Sequence, residues 1–96
     1  MLETMVEQKA EAFPRYALAM EYRKLKRHED SVVQFDLLLQ QYADYLPSYL
    51  MYAQLLATMS QTEKAVGILD RGIEVATRAK DDHTLGELMA EKEALT

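Results

Sequence analysis

Few side chains in this sequence have the type and spacing for chemistry. His28 stands beside Glu29 and Asp30, and His83 follows Asp81 and Asp82. A histidine among carboxylates is raw material for a metal site or for general acid–base work. Both groups fall where the chain reads as a turn between helices, and there the same residues cap a helix or meet solvent. We read them as caps. A small enzyme or metal protein using His28 or His83 is the competing reading. No Gly-rich phosphate loop, no His-Glu-x-x-His spacing and no serine in a nucleophile-like setting occurs. Cysteine is absent, so thiolate nucleophiles, thiolate metal sites and disulfides are all excluded, which fits a reducing compartment. No catalytic residue, metal or cofactor is expected.

Charge narrows the partners. The net charge is −5, which opposes whole-surface attraction to nucleic acid or anionic lipid. Its distribution is uneven. Between Phe13 and His28 stand Arg15, Arg23, Lys24, Lys26 and Arg27 against one acid, Glu21. Bases at a helix C-terminus complement the macrodipole; a patch for an acidic peptide is the other reading. Tyr42, Tyr45, Tyr49 and Tyr52 could stack on a base, but their flank is acidic, so they read as packing with one or two hydroxyls reaching water. No signal-like opening is present and no apolar run approaches the ~20 residues of a membrane span. A cytoplasmic location is expected.

The elements that position these residues are helical. The 96 residues fit one domain, with 49% apolar content and only Gly 3 and Pro 2 as breakers. Residues 1–8 suit a short helix with Leu2, Met5 and Val6 on one face, followed by a connector at Lys9–Phe13. Pro14 suits the first turn of the next helix, which runs to about Lys26 with Leu18, Ala19, Tyr22 and Leu25 inward. A helix over about 29–42 turns Val32, Phe35, Leu38 and Leu39 inward. Pro47 opens a helix ending near Met59, and Ser60-x-x-Glu63 reads as a capping box for a long helix reaching Arg78 or Lys80. Gly67 and Gly72 in that helix are expected to mark close approach of another backbone. A last helix to Ala94 places Leu85, Leu88, Met89 and Leu95 on one stripe. No stretch alternates with period two long enough to argue a strand.

A shift of 34 residues aligns two of these hairpins without a gap. Leu18 falls on Tyr52, Ala19 on Ala53, Tyr22 on Leu56, Ser31 on Ala65, Phe35 on Leu69 and Leu39 on Ile73. The first unit reads Leu18-Ala19-x-x-Tyr22, then Ser31-x-x-x-Phe35. The second reads Tyr49-x-x-Tyr52-Ala53-x-x-Leu56, then Ala65-x-x-x-Leu69. Small residues are needed where the two helices of each hairpin cross, since bulk at Ala19, Ser31, Ala53 or Ala65 would splay them. Helix–turn–helix units at this period resemble the tetratricopeptide repeat family, in its small bacterial-type form. Arg15 departs from the motif in the first unit's aromatic slot. The proline usual after the second helix is displaced to Pro47 in one unit and missing in the other.

The resemblance implies an all-α superhelix of antiparallel hairpins, about two and a half repeats long. Residues 1–12 would form a partial helix, 13–46 and 47–80 the repeats, and 81–96 a capping helix. It also implies a non-enzymatic scaffold that grips a peptide or helix in an apolar concave groove on its inner, first-helix face. That face carries Phe13, Tyr16, Ala17, Met20 and Lys24, then Leu50, Met51, Gln54 and Thr58. The two-carboxylate clamp of one subclass is not carried over, because Tyr16, Met20 and Met51 replace its lysine and asparagine. The face is apolar and bears methionine, which suits a hydrophobic helix or a second copy of the chain in a homodimer. Alternatively, the last helix or a neighbouring repeat covers it as core.

Overall fold

The computed structural model describes the backbone of residues 2–96 and the side chains of residues 9–96. Among these residues there are five α-helices and no strand: α1 (Leu2–Lys24), α2 (His28–Gln41), α3 (Pro47–Thr58), α4 (Thr62–Ala79) and α5 (Asp82–Leu95). The all-α, helical-repeat expectation holds. The helices fall into two compact units, Met1–Ser48 and Tyr49–Thr96.

In the first unit α1 packs on α2. The expected connector at Lys9–Phe13 does not exist, because one helix runs straight through Pro14. An interior proline forfeits one backbone hydrogen bond and crowds the carbonyl four residues back, at a cost of about 3 kcal/mol. Lys9, Ala10, Glu11 and Ala12 are good helix formers, and Ala12 is fully buried, which holds the segment ahead of Pro14 in register. The stripe of Leu2, Met5 and Val6 lies outside the described side chains.

The buried line of α1 also differs from the expected one. Ala12 and Ala19 carry it, seven residues apart on one face, whereas Leu18 and Leu25 are exposed. The helix is thus turned by about one residue, roughly 100° at 3.6 residues per turn. Small side chains let the two helices come close. The buried Ser31 hydroxyl donates to the carbonyl of Ala19 at 2.8 Å across their crossing. Phe35, Leu38 and Leu39 fill the rest of α2's inner face, and Val32 is half-buried. Arg15 donates to the Gln34 side chain at 2.8 Å.

In the second unit Tyr49, Tyr52, Ala53, Leu55 and Leu56 of α3 are buried, as are Ala65, Ile68, Leu69, Gly72, Val75 and Ala76 of α4. Gly72 meets the expectation of close approach. A Cβ placed there would lie 2.7 Å from Tyr49 Cβ, 2.9 Å from Tyr49 Cγ and 3.2 Å from a Leu88 methyl. Gly67 does not meet it; a Cβ there would enter open space. Helix α5 packs on α4 through the buried Leu88, and Lys92 reaches Asp70 at 2.7 Å. Met89, expected on the inward stripe, is 55% exposed.

Three turns share one backbone solution. Lys26, Ser60 and Lys80 all have left-handed φ, at 61°, 64° and 57°. Around each, the left-handed residue's N–H bonds a carbonyl three residues back, and the next N–H bonds one five back. The pairs are Lys26 to Arg23 and Arg27 to Tyr22, Ser60 to Ala57 and Gln61 to Leu56, Lys80 to Thr77 and Asp81 to Ala76. This is the Schellman arrangement, which satisfies two of the orphan carbonyls at a helix end. Ser60 therefore ends α3 instead of capping α4. The expected Ser60–Glu63 capping box is absent, and Gln61 is the N-cap, without a side-chain bond.

Candidate functional site

The expected binding residues of the first unit lie on one outer face of α1, at offsets of three or four residues. Phe13 is 59% exposed, Ala17 and Lys24 are exposed, and Tyr16 and Met20 are half-buried. A phenylalanine this open contributes to no core in its own unit, so the face presents an aromatic ring, a thioether and a lysine to solvent. Leu50, Met51, Gln54 and Thr58 share a face of α3, the first three half-buried and Thr58 exposed. The Thr58 hydroxyl donates to the Gln54 carbonyl at 3.0 Å, which leaves its methyl as the more available surface.

Tyr16 is committed more deeply than its spacing suggested. Its ring meets Phe35 edge-on at 6.4 Å and Tyr45 at 5.5 Å. Such tilted pairs contribute about 0.5–1.5 kcal/mol beyond area burial. Tyr16 therefore ties α1 to α2 and to the segment that follows it, and forms the floor beside Met20 rather than a free contact. Burial raises its hydroxyl pKa above the usual tyrosine value, the neighbouring Tyr45 raises it further, and Arg23 partly offsets the shift. The Tyr45 pKa is raised too, by burial. Sequence reasoning missed Tyr45 as a neighbour of this face. It sits between helices, where no periodic signal says which way a side chain turns.

The basic cluster is partly spent on local contacts. Arg27 pairs with Asp30 at 2.7 Å and lies over the Tyr22 ring, 4.9 Å from its centroid. Arg23 and Lys24 occupy the last turn of α1, as macrodipole complementarity favours. Lys24 and Lys26 remain exposed.

The groups with chemical potential are not assembled. His28 opens α2, and His83 lies in the first turn of α5 with Nε2 3.4 Å from Glu87. Asp81 acts as the N-cap of α5, accepting from the Thr84 N–H at 3.0 Å and from its hydroxyl at 2.8 Å. Among the described residues no group of three or more His, Asp or Glu side chains is placed to hold a metal ion. No helix among them is long and apolar enough to cross a membrane. Tyr49 and Tyr52 are buried, and Tyr42 and Tyr45 are half-buried.

Comparison with solved structures finds a tetratricopeptide repeat domain target determined both by NMR and by crystallography. The chain is similar to a tetratricopeptide repeat domain protein from Salinibacter ruber solved in solution by NMR. The TM-score is 0.85 at 30% identity, over 88% of this chain and 85% of that one. It is similar also to a crystal structure of a tetratricopeptide repeat domain protein from the same organism. There the TM-score is 0.82 at 30% identity, over 88% of this chain and 94% of that one. No protein-family profile matches the sequence, and no curated protein does.

Proposed function

The chain belongs to the tetratricopeptide repeat family, and from that premise we propose that it is a non-catalytic scaffold recognising a peptide or helix of another protein. Recognition runs through the outer face of α1 in the first unit, and the corresponding face of α3 in the second unit is a separate candidate. The observation that carries this reading is Phe13, a large aromatic left 59% exposed at helical spacing from Met20 and Lys24. Exposed aromatics and methionines on a rigid helix supply contact area at low entropic cost, and methionine adapts to the partner's shape. The partner is an amphipathic segment whose apolar side meets Phe13 and Met20, with an acidic residue reaching Lys24.

A second reading uses the same face: a homo-oligomer in which a second copy supplies the apolar segment. Substituting Met20 and Met51 with glutamate separates the two. The variant and the wild type would be compared for capture of partners from native lysate and for oligomeric mass by light scattering. Loss of a captured partner with unchanged mass supports recognition, and loss of the oligomer supports self-association. A Val33→Glu variant, on the exposed side of α2, serves as the control and should leave capture intact. If Met20→Glu/Met51→Glu captures the same partners at the same yield, neither face is the binding surface.

A further inference from the structure

Beyond the contact at Phe13 and Met20, two surface features of the chain complement each other in polarity and charge. The first is Leu25, 57% exposed at the end of α1, flanked by the exposed Lys24 and Lys26. It projects where the left-handed turn at Lys26 reverses the chain, as an apolar knob in a basic setting. The second is an open pocket of the second unit between α4 and α5, lined by Asp70, Ile73, Met89, Lys92, Glu93 and Thr96. Ile73 and the exposed Met89 form its apolar part. Asp70, held by Lys92 at 2.7 Å, and Glu93 contribute carboxylates.

The immediate surroundings differ in sign: Lys24 and Lys26 flank Leu25, while the pocket lining carries Asp70 and Glu93 against Lys92. Single exposed apolar residues are ordinary on a protein surface. An apolar knob among lysines and an apolar pocket among carboxylates, both on one sequence, form a complementary pair. Charge of this kind steers encounter and fixes register more than it adds affinity.

We propose that Leu25 of one copy seats against Ile73 and Met89 of a second copy, with Lys26 meeting Glu93. The contact goes beyond the candidate recognition faces of α1 and α3 and needs none of the residues tested there. It is heterologous: each copy that donates its knob keeps its own pocket free, so association continues into rings or chains.

Sedimentation velocity over a concentration series at low salt tests this. The wild-type average mass should rise with concentration, and ~1 M salt, with its Debye length near 3 Å, should slow association more than it lowers the final mass. Leu25→Asp and Met89→Asp should each raise the apparent dissociation constant at least about tenfold, as loss of a buried apolar anchor does. Both positions are exposed, and unchanged circular dichroism would verify the fold. Mixed in equal amounts, the two variants should form a heterodimer that grows no further, because the mixture retains one intact knob and one intact pocket. Lys26→Glu should weaken association, and Lys26→Glu with Glu93→Lys in one chain should restore it. A wild type that stays monomeric at every concentration overturns the proposal. So does association that survives both aspartate variants, or a folded pair of variants that fails to combine.

Discussion

Tyr49 and Arg15 stand 34 residues apart in the repeat and solve one packing problem in opposite ways. In the second unit the aromatic ring is buried and lies so close to α4 that only a glycine fits opposite it, at Gly72. In the first unit the long arginine reaches across to Gln34, and the position matching Gly72 is Leu38, fully buried. Bulk has moved from one helix to the other. In the first unit a hydroxyl bond joins Ser31 to Ala19, and the matching residues of the second, Ala65 and Ala53, are both fully buried alanines. The turn between the two helices is unchanged, with the left-handed Lys26 matched by Ser60 and the same pair of backbone bonds. The geometry of the turn is therefore repeated where the side chains around it are not.

The comparison breaks most visibly at Gly72. Gly72→Ala should destabilise the protein by about 2 kcal/mol, the usual scale of overpacking, because the new methyl meets the root of Tyr49, which no rotamer change can move away. Gly67→Ala in the same helix should instead stabilise it by about 1 kcal/mol, the helix-propensity difference. Urea denaturation midpoints of the two variants check both, and a Gly72→Ala protein as stable as wild type would mean that Tyr49 is not wedged.

The turns sharpen the comparison at smaller amplitude. Lys26→Gly and Ser60→Gly should each stabilise by up to about 1 kcal/mol, since a left-handed conformation costs an L-residue about that much and glycine little. Similar gains at both sites, measured by thermal melting, would establish the turns as energetic equivalents.

The smallest effect concerns pH and belongs to the first unit alone. The Tyr16 hydroxyl holds its proton more tightly when folded. Its contribution is fully present below the unfolded tyrosine pKa of about 10 and is lost as pH rises through the folded value. Stability should therefore fall slightly more steeply above pH ~10 in wild type than in Tyr16→Phe, whose ring retains the edge-on contacts. Parallel alkaline denaturation curves would remove Tyr16 from that account.

Much of the fold was legible because periodicity reports which residues share a helix face. The hairpins, their turns and the small residues at Ala19, Ser31, Ala53 and Ala65 follow from that. The break before Pro14 was misread because a local rule about proline was set against tertiary anchoring, and Ala12 shows the anchoring to be the stronger. The capping box at Ser60 failed for a similar reason. The motif Ser60-x-x-Glu63 fits a helix start, but the carbonyls of α3 claimed the same residue for a helix end. That Phe13 and Met20 share a helix face follows from spacing, whereas their candidacy as a site came from the family resemblance. The coupling of Tyr16 to Tyr45 could not be read from spacing, because a connector residue has no period.

The shared turn also bears on how the chain tolerates changes of length. At residues 25–27 and 59–61 a three-residue turn with one left-handed residue joins the helices. One added residue there would rotate the next helix by about 100° and turn Phe35 or Leu69 toward water. Insertions and deletions that preserve folding should therefore avoid these two turns.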